Sequence, residues 1–205
     1  MNQALALLEF DSVAAGVLAV DRMLKQAPIA LLRCGSVHPG RYLALVGGSV
    51  ASTEEAHAAG IRSAGDLNAL TDQILLPDPH PLLAAAVTGE RAAPQGEAVG
   101  VVEVSTSPGL LRAVDAVLKA VPVDLVEIRL ADDLGGRALA VIDGRLPDVQ
   151  EALERFGGHL GENTVLCGSS LLPRLDETLR GVLAEGTLFN ACATRVPVGA
   201  EILEG

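Results

Sequence analysis

Residues 4–31 read ALALLEFDSVAAGVLAVDRMLKQAPIAL, and residues 98–125 read AVGVVEVSTSPGLLRAVDAVLKAVPVDL. At a constant offset of 94 the two stretches share nine identities: Ala4/Ala98, Glu9/Glu103, Ala19/Ala113, Val20/Val114, Asp21/Asp115, Leu24/Leu118, Lys25/Lys119, Pro28/Pro122 and Leu31/Leu125. The offset then becomes 96, pairing Gly40-Arg41 with Gly136-Arg137, Leu43-Ala44 with Leu139-Ala140, and Gly48 with Gly144. The change of offset falls between residues 31 and 40 of the first copy, where a loop tolerates it. The 205 residues therefore divide into two copies of one unit rather than one large domain. We expect a first domain over 1–90, a second over 97–186 and an extension over 187–205. The segment Thr88 to Glu97, TGERAAPQGE, is polar, carries Gly and Pro, and reads as the linker.

Each copy reads as mixed α/β. Ala4–Phe10 is a short apolar run suited to a strand buried on both faces. Asp11 or Ser12 can cap the helix after it, and Val13, Val17, Val20 and Leu24 then fall at helical spacing on one apolar face. The second copy repeats this with Ser107 as cap, Pro108 at the first helical position, and Leu111, Val114 and Leu118. Asp21 with Lys25, and Asp115 with Lys119, stand four apart and can pair on the helix surface. Pro28 and Pro122 mark the helix ends. Strands are expected over Ile29–Cys34 and Tyr42–Val46, with a loop from Gly35 to Arg41 matched by Ala131 to Arg137. Gly47-Gly48 and Asp143-Gly144 predict tight turns. Second helices are expected near Ser52, where Glu55 completes a capping box, and near Asp148. A last strand and short helix close each copy, over Gln73–Leu76 with Pro81–Val87, and over Thr164–Cys167 with Leu175–Leu183.

Composition narrows the function. Apolar residues make up 49%, too many for a disordered chain, yet only Phe10, Tyr42, Phe156 and Phe189 are aromatic. A nucleic-acid stacking platform lacks its ring faces. The formal charge of −11 repels phosphate backbones and anionic membranes. No run approaches the ~18 apolar residues of a membrane span, and no signal peptide is visible at the N-terminus. Cys34, Cys167 and Cys192 have no metal-type spacing and read as reduced, partly buried thiols of a cytosolic protein. His57, His80 and His159 have no partner at ligand spacing and read as surface or loop residues. No G-x-S-x-G, P-loop or dinucleotide fingerprint is present, and Asp132-Asp133 has no adjacent base or nucleophile, so the residues argue against an enzyme.

A strand ending in Glu9 or Glu103, the helix pattern D-x-x-L-K-x-x-P at Asp21–Pro28 and Asp115–Pro122, a Gly-rich interstrand loop and the late Leu172-Pro173-Arg174 together resemble the bacterial microcompartment shell domain. The unpermuted tandem is similar to the trimeric tandem-domain class, in particular the T-type proteins of propanediol-utilisation shells. The similarity covers about residues 3–186. It implies tandem ferredoxin-like α+β domains, with three chains forming a flat pseudohexamer around a central pore. It also implies tiling with other shell proteins around enclosed enzymes in the bacterial cytoplasm, and passage of small metabolites or electrons through the pore. The first copy departs from the pattern at Asp78, where the second has Arg174, and the extension has no counterpart in it.

The resemblance carries Ser36, Val37, His38, Pro39 and Gly40 of the first interstrand loop, and Asp132, Asp133, Leu134 and Gly135 of the second, onto the pore lining. It carries Lys25, Lys119 and Arg174 onto the tile edge. T-type relatives hold an iron–sulfur cluster on the threefold axis through a Cys in the first loop, and the matching residue here is His38. Histidine is a far less common cluster ligand than thiolate, which argues against a cluster. Three imidazoles could instead hold Zn, Cu or Ni, but a polar pore without metal is the preferred expectation. Six carboxylates from Asp132 and Asp133 would discriminate against anions, unless they form only a solvated turn. Each lysine has two readings, as rim contact or as partner of its i, i+4 aspartate. A ligand-binding regulatory trimer of ferredoxin-like domains is the alternative function, distinguished by whether the protein assembles into sheets.

Overall fold

The computed structural model describes residues 4–188 and 191–197. The first domain contains β1 (Ala4–Phe10), α1 (Val13–Gln26), β2 (Leu31–Val37), β3 (Arg41–Gly48), α2 (Val50–Gly65), β4 (Leu70–Leu76) and α3 (Pro81–Val87). The second contains β5 (Ala98–Val104), α4 (Ser107–Ala120), β6 (Asp124–Leu130), β7 (Ala138–Gly144), α5 (Leu146–Phe156), a 3₁₀ turn (Gly157–His159), β8 (Leu166–Leu172) and α6 (Glu177–Glu185). Each domain has a four-stranded antiparallel sheet, ordered β2-β3-β1-β4 and β6-β7-β5-β8. The repeat in sequence is thus a repeat in topology.

Strand β1 is buried along its whole length because both of its faces are covered. Ala6, Leu8 and Phe10 meet the α1 and α2 layer, and Leu5 and Leu7 belong to the core on the opposite face, with Leu83 and Val87 of α3. Small residues bring the helices close. A Cβ on Gly60 of α2 would lie 2.8 Å from both Leu8 Cδ2 and Met23 Sδ, which is how a core with few rings reaches interior density. In the second domain α4 and α5 cover one face of the sheet through Val114, Val149 and Phe156, while Leu175 and Leu183 cover the other.

Several local expectations change. Val13, Val17 and Leu24 lie largely outside, and Ala15, Gly16, Ala19, Val20 and Met23 turn inward. Helix α1 has two apolar stripes, and the smaller one wins because it lets the helix settle against Tyr42; a side chain on Gly16 would run into that ring. In α4, by contrast, Leu111, Val114 and Leu118 are buried as expected. Ser12 caps α1, but Thr106 rather than Ser107 caps α4. Helix α2 begins at Val50, capped by Ser49 rather than Ser52: Ser49 Oγ accepts from the Ser52 backbone N–H and donates to Ser52 Oγ, and among the described residues Glu55 takes no part in the cap. Gly47-Gly48 and Asp143-Gly144 are strand ends paired with β1 and β5, not hairpin turns. Strand β8 lies later than the Thr164–Cys167 segment, because Thr164 is drawn into a hydrogen bond to Asp72 of the first domain. Cys34 and Cys167 are exposed rather than buried, since β2 and β8 are the outer strands of their sheets. His57 is buried on α2, 2.7 Å from Gln73 Oε1, and burial holds its imidazole below the ordinary value. Of the 187–205 extension, residues 189–190 and 198–205 lie outside the described residues.

Candidate functional site

The two interstrand loops lie side by side. The first is shorter than expected: Ser36 and Val37 still pair with Tyr42 and Arg41 in the β2–β3 ladder, leaving His38-Pro39-Gly40 as the turn. Gly40 takes φ +94° there, a conformation that costs other residues strain. The second loop runs from Ala131 to Arg137 and turns through left-handed residues at Ala131 (φ 63°), Asp133 (57°), Gly135 (61°) and Gly136 (84°). A Cβ on Gly136 would stand 2.9 Å from Pro39 Cδ, so the loops touch. Arg41 joins them, donating from Nη1 to Gly136 O at 3.2 Å and to Ser105 O at 3.1 Å.

His38 is exposed at the tip of its turn, and Asp132 and Asp133 are exposed beside it. Neither aspartate has an ion-pair partner among the described residues. Leu134 is half-buried, and its backbone N–H donates to Ala131 O to hold the turn. Among the described residues of one chain, no group of three or more His, Cys, Asp or Glu could hold a metal ion. Each chain offers one imidazole at the first loop, and this donor set does not fit a thiolate-bound cluster. Cys34 is exposed on β2, and the influence of its thiol together with burial pushes the Tyr42 phenol up to about 12.

The junction between the domains is built from polar groups, of which the sequence marked only Glu9 and Arg41, through the repeat. Glu9 is fully buried; its Oε1 accepts from Arg41 at 2.5 Å and its Oε2 from the backbone N–H of Ser107 at 2.8 Å, in the first turn of α4. Burial raises its carboxyl above the ordinary value, against the pull of Ser107 and Arg41. Thr106 and Thr164 both donate to Asp72 Oδ2, and Arg112 reaches Gln73 O at 2.7 Å and Leu160 O at 2.6 Å. The repeated Glu9/Glu103 and Arg41/Arg137 were the available signal, because charge copied beside apolar strands asks for a shared role.

At the other end of each first helix, Lys25 Nζ stands 2.7 Å from Asp21 on an open surface that also carries Arg22 and Arg62. Lys119 makes the same bond to Asp115 and also donates to Asp78 O at 2.6 Å, so it is anchored between the domains. Arg174 is exposed in the turn after β8, and no hydrogen bond or ion pair links it to either lysine among the described residues.

Comparison with known proteins gives this architecture a family. The model described as the BMC domain matches residues 4–79 and again 98–175. The bacterial microcompartment shell protein PduT of Citrobacter freundii is 34% identical over 186 residues, covering 91% of this chain and 100% of that one. The carboxysome assembly protein CcmO of a Synechocystis species is 28% identical, covering 92% of this chain and 67% of that one. Among solved structures, a microcompartment protein from Desulfitobacterium hafniense superposes with a TM-score of 0.75 at 28% identity, covering 88% of this chain and 99% of that one. The chain belongs to the bacterial microcompartment shell-domain family, as two such domains in tandem, and is a structural component of a microcompartment shell. Among the described residues no helix is long and apolar enough to cross a membrane. The regulatory-trimer alternative gains no support from these relatives.

Proposed function

We propose that three copies of this chain close into a six-domain tile with a polar metabolite pore, and that the tile works as wall and passage rather than as an enzyme. The supporting observation is an interface made once inside the chain and left open at its ends. Internally, α4 lies on β4 and Glu9 receives its first turn. The corresponding surfaces outside are the exposed stripe of α1 (Val13, Val17, Leu24), the exposed β8 and the partly exposed Glu103, whose carboxylate already faces Arg137 at 3.3 Å. Applied between chains, the internal contact is heterologous, and such a contact either closes a ring or grows a filament. Three two-domain chains give the six positions of a closed ring. The adjacent loops then surround the axis with His38, Pro39 and Gly40 alternating with Asp132, Asp133, Leu134 and Gly135. Ser36 and Val37 stand behind them on β2.

Carboxylates around such an opening favour neutral or cationic solutes over anions. His38 supplies a polar ring without a resident metal, and Lys25, Lys119 and Arg174 lie toward the rim, where neighbouring shell proteins abut. Light scattering should give a trimer, and electron microscopy should show extended sheets at moderate ionic strength. A stable monomer would sink the ring. Metal analysis after anaerobic purification, with His38→Ala beside it, tests the pore: metal lost only in the variant would replace the metal-free reading.

A further inference from the structure

We propose that the cleft between the two domains, which reaches the bases of the interstrand loops at Val37 and Asp132, binds a small organic anion that also carries a hydroxyl group. The cleft encloses about 310 Å³, within the size range of small-molecule sites. Its apolar floor includes Leu7, Leu43 and Leu45 of the first sheet, and its far wall is β6 with the linker residue Arg91.

Two kinds of unmet demand face each other in it. Glu127 is 3% exposed. Its Oε1 stands 2.5 Å from Arg91 Nη1, while its Oε2 is buried with no hydrogen-bond partner among the described residues. A carboxylate oxygen removed from water in this way asks for a donor. Opposite in charge, Arg33 and Arg129 line the same cleft and have only neutral acceptors: Val87 O for Arg33, and Thr187 Oγ1 and Asp132 O for Arg129. Arg129 Nε is buried and unpartnered among the described residues. Glu90 and Asp132 also line the cleft, yet among the described residues no carboxylate pairs with Arg33 or Arg129, so these two guanidinium groups are open to an anion.

A hydroxy acid meets all three conditions at once. Its carboxylate answers the arginines, its O–H answers Glu127 Oε2, and its short carbon chain covers the leucines. A simple inorganic anion leaves Glu127 unanswered, and a neutral alcohol leaves the arginines unanswered. The pattern is not inherited from the repeat. Arg33 pairs with Leu45 in the first sheet and Glu127 pairs with Val141 at the corresponding place in the second. The two copies have thus diverged in charge where both face one cleft.

The test is calorimetric titration of the full chain with glycerate, propionate and glycerol. Glycerate should bind at least ~10-fold more tightly than propionate, which lacks the hydroxyls, or glycerol, which lacks the charge. Arg33→Gln, at an exposed position, and Arg129→Gln should each weaken glycerate ~10-fold or more, and Glu127→Gln should reduce the preference over propionate. Lys25→Gln should change nothing. Equal binding of glycerate and propionate, no saturable glycerate binding, or full affinity in Arg33→Gln would overturn the proposal. The site uses one chain only, so failure of the trimer would leave it standing and the two readings are separately testable.

Discussion

Helices α1 and α4 open their domains at equivalent positions and share a sequence pattern, yet they live in different surroundings. Leu111 of α4 is 1% exposed, and its counterpart Val17 of α1 is 52% exposed. The difference comes from what lies on the far side. Helix α4 has its own sheet beneath it and β4 of the first domain beside it, whereas α1 has only its own domain. Duplication has therefore produced one finished interface and one unfinished copy of it. The sharpest way to break this view is to put a charge at the matched positions. Leu111→Asp should cost on the order of 5 kcal/mol, from a lost core leucine and a buried unpaired carboxylate, enough to unfold a domain of ordinary stability. Val17→Asp should leave the thermal unfolding of a dilute chain within about 0.5 kcal/mol of the parent while turning a trimer into monomers. Equal damage from both would mean that α1 is not the open half of the pair.

The glutamates at the ends of β1 and β5 sharpen the comparison at a lower energy. Glu9 is wholly buried against Arg41 and the first turn of α4. Glu9→Ala should cost about 3 kcal/mol by chemical denaturation, since it strands a half-buried guanidinium and the Ser107 N–H. The side chain of Glu103 is 41% exposed beside Arg137, so Glu103→Ala should cost the isolated chain under about 1 kcal/mol. In the proposed ring, Glu103 would take the place of Glu9 toward the first turn of the neighbouring α1. Its loss should then raise the concentration at which trimers dissociate. An unchanged dissociation midpoint would remove Glu103 from the contact.

A third difference is chemical. His57 on α2 bonds Gln73 on β4, while the corresponding residues of the second domain are Leu153 and Ser169. Burial lowers the His57 pKa from 6.5, so folding favours the neutral ring. The stability this contributes is present above pH 6.5 and is lost as pH falls through the lower folded value. Unfolding followed between pH 7 and pH 5 should show a loss that His57→Gln reduces, a smaller effect than either substitution above. A slope unchanged in His57→Gln would assign that acid response elsewhere.

The repeat made the fold legible, because an offset of 94 that becomes 96 fixes both the number of domains and the place of the loops. Strand β1, the Ser12 cap and the proline ends of α1 and α4 follow from local chemistry. The buried face of α1 did not, since periodicity weighs Val and Leu above Ala and Gly, and close packing reverses that order. Helix α2 started three residues early for a similar reason: Ser49 and Ser52 are equivalent as capping types, and the end of β3 decides between them. Of the candidate site, the loops were legible from the repeat. The bonds of Asp72, Thr106 and Arg112 join distant segments that no spacing brings together. His57 looked like a surface residue because nothing in its neighbourhood announces Gln73.

The smallest stability effects belong to the copied lysines, and they carry the last contrast. Lys25 makes one exposed i, i+4 bond to Asp21, whereas Lys119 bonds Asp115 and the Asp78 carbonyl. Lys25→Asp should cost a few tenths of a kcal/mol at most, the ordinary worth of such a helical pair. Lys119→Asp should cost more, because a half-buried bond from the His80 backbone N–H to the Asp115 carboxylate sits beside the lost ammonium. In sheet formation followed by electron microscopy the order should reverse. Under the proposed rim role, charge reversal at Lys25, held among the described residues only by its exposed Asp21 pair, should abolish sheets while trimers persist, whereas the anchored Lys119 should have the weaker effect. Normal sheets from Lys25→Asp would move the rim contact away from the end of α1.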